Sequence, residues 1–116
     1  MKTKILLVLT ALAFCFAMSA QQKPLRIGVV GLTHDHIHGL LGRKDKGEIE
    51  IVGIAEPNIE LARKYANIYG LDMKKVCSSI DEMLYKTHPE AVMAYNDIFG
   101  HLEVVEKCAP KGIHVM

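Results

Sequence analysis

An α/β fold with a doubly wound parallel sheet is predicted by three features of this sequence. Short β-branched runs alternate with stretches whose apolar residues recur every three or four positions, and glycine or proline punctuates the changeovers. No internal repeat or low-complexity segment breaks the alternation. Strand–helix–strand units of this kind join through right-handed crossovers, which give a parallel sheet covered on both faces. The 116 residues suffice for one small domain or part of one.

The first twenty residues read as an address. Lys2 and Lys4 precede an apolar core, Ile5–Met18, broken only by Thr10, and Ala17, Ser19 and Ala20 supply small residues ahead of polar Gln21-Gln22-Lys23-Pro24. This is the layout of a secretory signal peptide over residues 1–20 with a short linker at 21–24. The core is shorter than the roughly 20 apolar residues that span a bilayer, so no stable membrane span is expected. Cleavage fits after either Ser19 or Ala20, and Phe14 before Cys15 matches a lipoprotein signal poorly. The expected location is therefore periplasmic or extracellular.

The elements follow in order. Leu25-Arg26-Ile27-Gly28-Val29-Val30 is a strand ending at Gly31, and a helix is expected from about His34 to Leu41, stopped near Gly42. Ile49–Ala55 is the second strand, closed by Glu56-Pro57-Asn58. Asn58 caps a helix carrying Leu61, Ala62, Tyr65, Ala66 and Tyr69, which Gly70 ends. Lys75–Cys77 forms a short strand, and Ser79 with Glu82 forms a capping box for a helix over Ile80–Lys86. Glu90–Tyr95 is a fourth strand and Gly100–Lys111 a helix frayed by Pro110. Ile113–Met116 begins a fifth strand inside which the chain stops, so the sheet is expected to be incomplete at its C-terminal edge, with one domain over residues 25–116.

Composition excludes several partners. The formal net charge is +1, and removal of Lys2 and Lys4 with the leader leaves a slight acidic excess. With no run of Lys or Arg, a nucleic-acid footprint or polybasic membrane patch is not expected. Cys77 and Cys108 remain after the leader, at a spacing that matches no metal or redox motif. One falls on a strand and one on a helix, which favours buried free thiols over a disulfide.

Ligands of such sheets lie beyond the carboxyl ends of the strands, so loops Gly31–Asp35, Glu56–Asn58 and Asn96–His101 should share one crevice. A dinucleotide turn wants glycine at positions occupied here by Gly31, Thr33 and His36, so only the first is kept. Gly28 and Gly31 read as a strand-end turn more readily than as a phosphate loop, although the Thr33 hydroxyl and helix N-terminal amides are candidate phosphate donors. Glu56 carries more weight. It ends the second strand about 25 residues after Gly31, where a carboxylate accepts hydrogen bonds from adenosine ribose hydroxyls and repels a 2′-phosphate. That favours NAD over NADP. The run His34-Asp35-His36-Ile37-His38 has metal-like spacing, but nothing in the sequence completes a metal site. A cofactor- or substrate-facing His34 and a plain polar loop stand equally. Asn96 and His101 are placed on the nicotinamide side, with helix capping as the alternative.

In order and spacing, several segments resemble the N-terminal half of the Gfo/Idh/MocA oxidoreductases. They are Arg26-Ile27-Gly28-Val29-Val30-Gly31, Val52-Gly53-Ile54-Ala55-Glu56-Pro57-Asn58, Ala62-Arg63-Lys64-Tyr65-Ala66 with Tyr69-Gly70, Ser79–Leu84, Glu90-Ala91-Val92 with His101, and Gly112–Met116. The sequence departs from the family at Thr33 and His36 and in its longer Asn96-to-His101 spacing. The resemblance implies a Rossmann-like nucleotide domain that binds NAD. In that family the fifth strand leads to a Glu-Lys-Pro motif with the catalytic lysine, then to a domain holding the substrate site and an oligomer sheet. The implied parent protein is a homo-oligomeric oxidoreductase acting on a small-molecule sugar, polyol or related substrate. NAD-dependent glycoside hydrolysis within the same family and a non-catalytic Rossmann-fold binding protein are the alternatives. No catalytic residue is assigned within this chain.

Overall fold

The computed structural model describes residues 22–116, so the expected leader at 1–20 lies outside the described residues. Five strands make one parallel sheet: β1 (Leu25–Val30), β2 (Ile49–Ala55), β3 (Val76–Cys77), β4 (Ala91–Ala94) and β5 (His114–Val115). Their spatial order is β3-β2-β1-β4-β5, so the winding reverses between β1 and β4. That reversal opens the crevice at the carboxyl ends of the two strands. Among the described residues no helix is long and apolar enough to cross a membrane.

Helices α1 (Ile37–Leu41) and α2 (Ile59–Tyr69) connect β1 to β2 and β2 to β3. Beneath them lies a core of Ile27, Val29, Leu32, Ile37, Ile54, Ala62 and Tyr65. Helices α3 (Ile80–Thr87) and α4 (His101–Cys108) cover the other face over Val30, Ala55, Met83, Val92 and Val104. α3 lies close to the sheet because β1 and β2 place Gly28 and Gly53 opposite each other under it. A Cβ added at Gly28 would come within 2.8 Å of Met83 Cε, and one at Gly53 within 2.9 Å of Met83 Cγ. Gly28 therefore serves helix packing in mid-strand, away from the crevice.

Local signals hold where the sequence is explicit. The Asn58 side chain accepts from the Glu60 and Leu61 amides at the start of α2, and Gly70 ends that helix at φ 70°. Ser79 caps α3 by accepting from the Glu82 amide at 3.2 Å. The return half of the expected capping box goes elsewhere: Glu82 Oε2 accepts from the Ser78 amide at 2.8 Å and hydroxyl at 2.7 Å, one residue earlier than expected. Its Oε1 takes the Lys86 ammonium at 2.5 Å.

The bond to Lys86 and the two from Ser78 hold the Glu82 carboxyl down to about 2, against an ordinary 4.5. A carboxyl whose folded value is depressed stabilises the fold fully above its unfolded value and loses that contribution as pH falls through the folded one. The start of α3 is thus expected to loosen only between about pH 4.5 and about pH 2. A carboxyl titration of Glu82 by NMR checks this, and a midpoint at the ordinary value would show that the cap is open in solution.

Other boundaries shift. The first helix starts at Ile37 rather than His34, α4 ends at Cys108 and continues as a 3-10 turn over Ala109–Lys111, and β5 is confined to His114–Val115. Cys77 and Cys108 are free and buried, and burial pushes both thiols above the usual value. On the α1/α2 face, His38 joins two tyrosines: its Nδ1 lies 2.6 Å from Tyr69 Oη and its Nε2 3.3 Å from Tyr65 Oη. The two phenol rings stack at 6.2 Å between centroids. This cluster ties α1 to α2.

Candidate functional site

The crevice is built around the turn that leaves β1. Gly31 adopts φ +79°, and an added Cβ would stand 2.6 Å from the backbone of Asn96, at the end of β4. Both the left-handed backbone and this close approach require glycine. The Gly31 amide donates to Ala55 O at 2.8 Å, which binds the turn to the end of β2.

Glu56 stands at that end, 5 % exposed, and is the buried charged residue of the described core. Its Oε2 accepts from the Leu32 amide at 2.9 Å and its Oε1 from the Asn58 amide at 2.8 Å. One carboxylate thus joins the first turn to the start of α2. A carboxylate has about four lone-pair sites, so positions for about two further donors remain.

The rest of the first turn folds toward β4. The Thr33 and His34 amides both donate to Tyr95 O, at 3.1 Å and 2.9 Å, and Thr33 Oγ1 lies 3.3 Å from the same oxygen. The hydroxyl and amide expected to face a phosphate are therefore engaged by the protein. These contacts also explain the late start of α1, because residues 33 and 34 are turned toward the sheet.

A cleft of about 390 Å³ opens here, lined by Gly31, Thr33, Glu56, Asn96, Asp97 and Glu103 together with Ser78 and Ser79. Asn96 Oδ1 is buried with no hydrogen-bond partner among the described residues. A buried carbonyl oxygen without a donor is costly, so it marks a place for a ligand hydroxyl or amide. Asp97 accepts from the Gly100 amide at 2.9 Å, and Glu103 pairs with Lys107 at 3.1 Å.

Four of the expected cofactor residues, Gly31, Thr33, Glu56 and Asn96, come together in this cleft. Three do not. Gly28 lies under Met83. His34 is exposed, with Nδ1 accepting from the His36 amide at 3.3 Å. His101 opens α4 on the exposed surface and is outside the lining. Sequence reasoning does not single out Ser78 or Glu103, marks Ser79 only as a helix cap, and includes Asp97 only as part of the Asn96–His101 loop. The rule that ligands gather at strand carboxyl ends points to Ser78 and Ser79, but the two-residue β3 gives that signal little strength. Among the described residues, no group of three or more His, Cys, Asp and Glu is arranged to hold a metal ion.

These acceptors fit the hydroxyl-bearing sugar end of a dinucleotide. Glu56 has capacity for hydroxyl donors, Asn96 offers an unpartnered acceptor, and Gly31 keeps the turn free of a side chain.

A family model described as an oxidoreductase family with an NAD-binding Rossmann fold matches residues 25–116. No curated protein matches significantly. Among solved structures, an oxidoreductase from Sinorhizobium meliloti is 29% identical, with a TM-score of 0.62, over 82% of this chain and 29% of that one. The WlbA dehydrogenase from Bordetella pertussis, in complex with NADH and UDP-GlcNAcA, is 23% identical with a TM-score of 0.63, over 79% and 27%. A dehydrogenase from Chromobacterium violaceum is 21% identical with a TM-score of 0.65, over 82% and 28%. The chain thus spans under a third of the length of these proteins.

Proposed function

The chain belongs to the Gfo/Idh/MocA oxidoreductase family with its NAD-binding Rossmann fold, and from that premise we propose that it is the cofactor-binding part of an exported enzyme. That enzyme moves hydride between a nicotinamide and a carbon of a sugar, polyol or related small molecule. The observation that carries the reading is the buried Glu56 carboxylate beside the Gly31 turn, at the mouth of the sheet where its winding reverses. The sugar class rests on the family resemblance and agrees with the UDP-GlcNAcA bound by the WlbA dehydrogenase. Export rests on the leader pattern of residues 1–20. Assembly into a homo-oligomer rests on the family resemblance alone.

Bound nicotinamide supplies the hydride acceptor or donor. This chain's residues hold the other end: Glu56 accepts from the adenosine ribose hydroxyls, Gly31 lets the turn approach them, and Asn96 Oδ1 accepts from a donor nearer β4. NAD is preferred over NADP because a 2′-phosphate would meet the Glu56 carboxylate, and a like-charge juxtaposition costs several kcal/mol. Calorimetric titration of the protein with both nucleotides is expected to give NAD at least about tenfold tighter binding. Equal affinities, or tighter NADP, would reject the assignment of Glu56 to the ribose.

A further inference from the structure

We propose that the exposed face of α4 is a self-association surface, on which a second copy of this chain packs with its own α4 running parallel. The contact is separate from the oligomer sheet implied by the family resemblance, and it does not depend on the ligand of the cleft.

Helical backbone runs from the 3-10 turn Ile98–Gly100 through α4 and into the turn Ala109–Lys111. Two apolar stripes lie along it. Val104 and Cys108 are fully buried and anchor the helix to the sheet. Ile98, Leu102 and Val105 form the second stripe, 77 %, 66 % and 45 % exposed, and Phe99 beside them is 91 % exposed. A surface helix needs one apolar stripe to hold its place on a core, and a contiguous exposed one marks an interaction site.

The spacing identifies the partner. Ile98, Leu102, Val105 and Ala109 follow one another at intervals of four, three and four residues, which is the a/d seam of a coiled coil. Such a seam is its own complement, because the side chains of one copy enter the holes of another. The flanking charges agree. With Leu102 at an a position, His101 falls at g and Glu106 at e, and both are exposed. In a parallel pair a g residue meets the e residue five positions on in the partner helix, so an imidazole–carboxylate contact repeats on both sides of the seam. An antiparallel pair sets e against e, which brings the Glu106 carboxylate toward the Phe99 ring instead. Val104 and Cys108 already hold the helix folded, so association has little ordering to offset. Parallel pairing also opens both clefts at the same end of the dimer, since Asp97 and Gly100 of the lining flank Ile98 and Phe99.

The test is sedimentation velocity of the protein from about 1 μM to about 200 μM. A monomer–dimer equilibrium is expected, with a dissociation constant on the order of 10 μM. Leu102→Glu combined with Val105→Glu should weaken it at least about tenfold, while Tyr85→Glu, on α3 and 81 % exposed, leaves it unchanged. Cys77 and Cys108 are buried, so mild oxidation of a Leu102→Cys variant is expected to join two copies through the new thiols. Thermal melts show whether the double variant is folded, and if it is not, the cross-link decides alone. A monomer at every concentration, undiminished association of the folded double variant, or a dimeric Leu102→Cys protein that stays unlinked overturns the proposal.

Discussion

Replacing Glu56 with alanine is expected to weaken NAD binding about tenfold to a hundredfold and to lower stability at the same time. The affinity loss follows from hydrogen bonds to a charged acceptor, each contributing about 1.5–3 kcal/mol. The stability loss has a separate origin. Leu32 is fully buried, and its amide has the Glu56 carboxylate as acceptor. Leaving a buried donor unmet costs about 1–3 kcal/mol. The Asn58 amide sits on an exposed residue where water replaces the lost acceptor, so it adds little. Glu56→Gln separates the effects, because it keeps one carbonyl oxygen for Leu32 and removes the negative charge. Calorimetry with NAD and thermal melts of both variants give the readout. An alanine variant that binds NAD like the parent would remove the basis for the nucleotide assignment.

Gly31→Ala is expected to be the most damaging single methyl addition among the described residues, at about 2–5 kcal/mol. The left-handed backbone alone costs a non-glycine residue about 1–2 kcal/mol. The new Cβ would also stand 2.6 Å from Asn96 N, Cα and Cβ, all rigid atoms at the end of a central strand. Forcing such a shift costs about 1–3 kcal/mol more. Gly70→Ala is the matched control: φ is +70° there, but the added Cβ meets nothing within 4 Å. Circular-dichroism melts should show Gly31→Ala falling well below Gly70→Ala. Similar melting points would mean that the β1 turn does not approach β4 as closely as described.

What the sequence revealed divides along the range of the interactions. The strands at Leu25–Val30 and Ile49–Ala55, the Asn58 cap and the Gly70 stop are written in neighbouring residues, and each lies where the local pattern puts it. The start of α1 was misplaced because its cause is distant: the Thr33 and His34 amides turn to a carbonyl on β4, at Tyr95. The shifted capping box is subtler, since Ser78 and Ser79 offer the same hydroxyl chemistry and only the backbone path selects which one Glu82 meets. At the site, the position of Glu56 was legible from strand length and the glycine before it. Its bonds to Leu32 and Asn58, and the missing partner of Asn96 Oδ1, depend on packing between segments far apart in the chain. Gly28 was a natural candidate for a phosphate turn, yet its lack of a side chain is used by Met83 on the opposite face.

The chain contains four tyrosines and no tryptophan, so its near-ultraviolet emission comes from phenol rings alone. Two of the four, Tyr65 and Tyr69, stack on each other and share the imidazole of His38 across the junction of α1 and α2. That junction carries its own optical probe: a separation of the two helices would alter the fluorescence of half the emitting side chains without any label being attached.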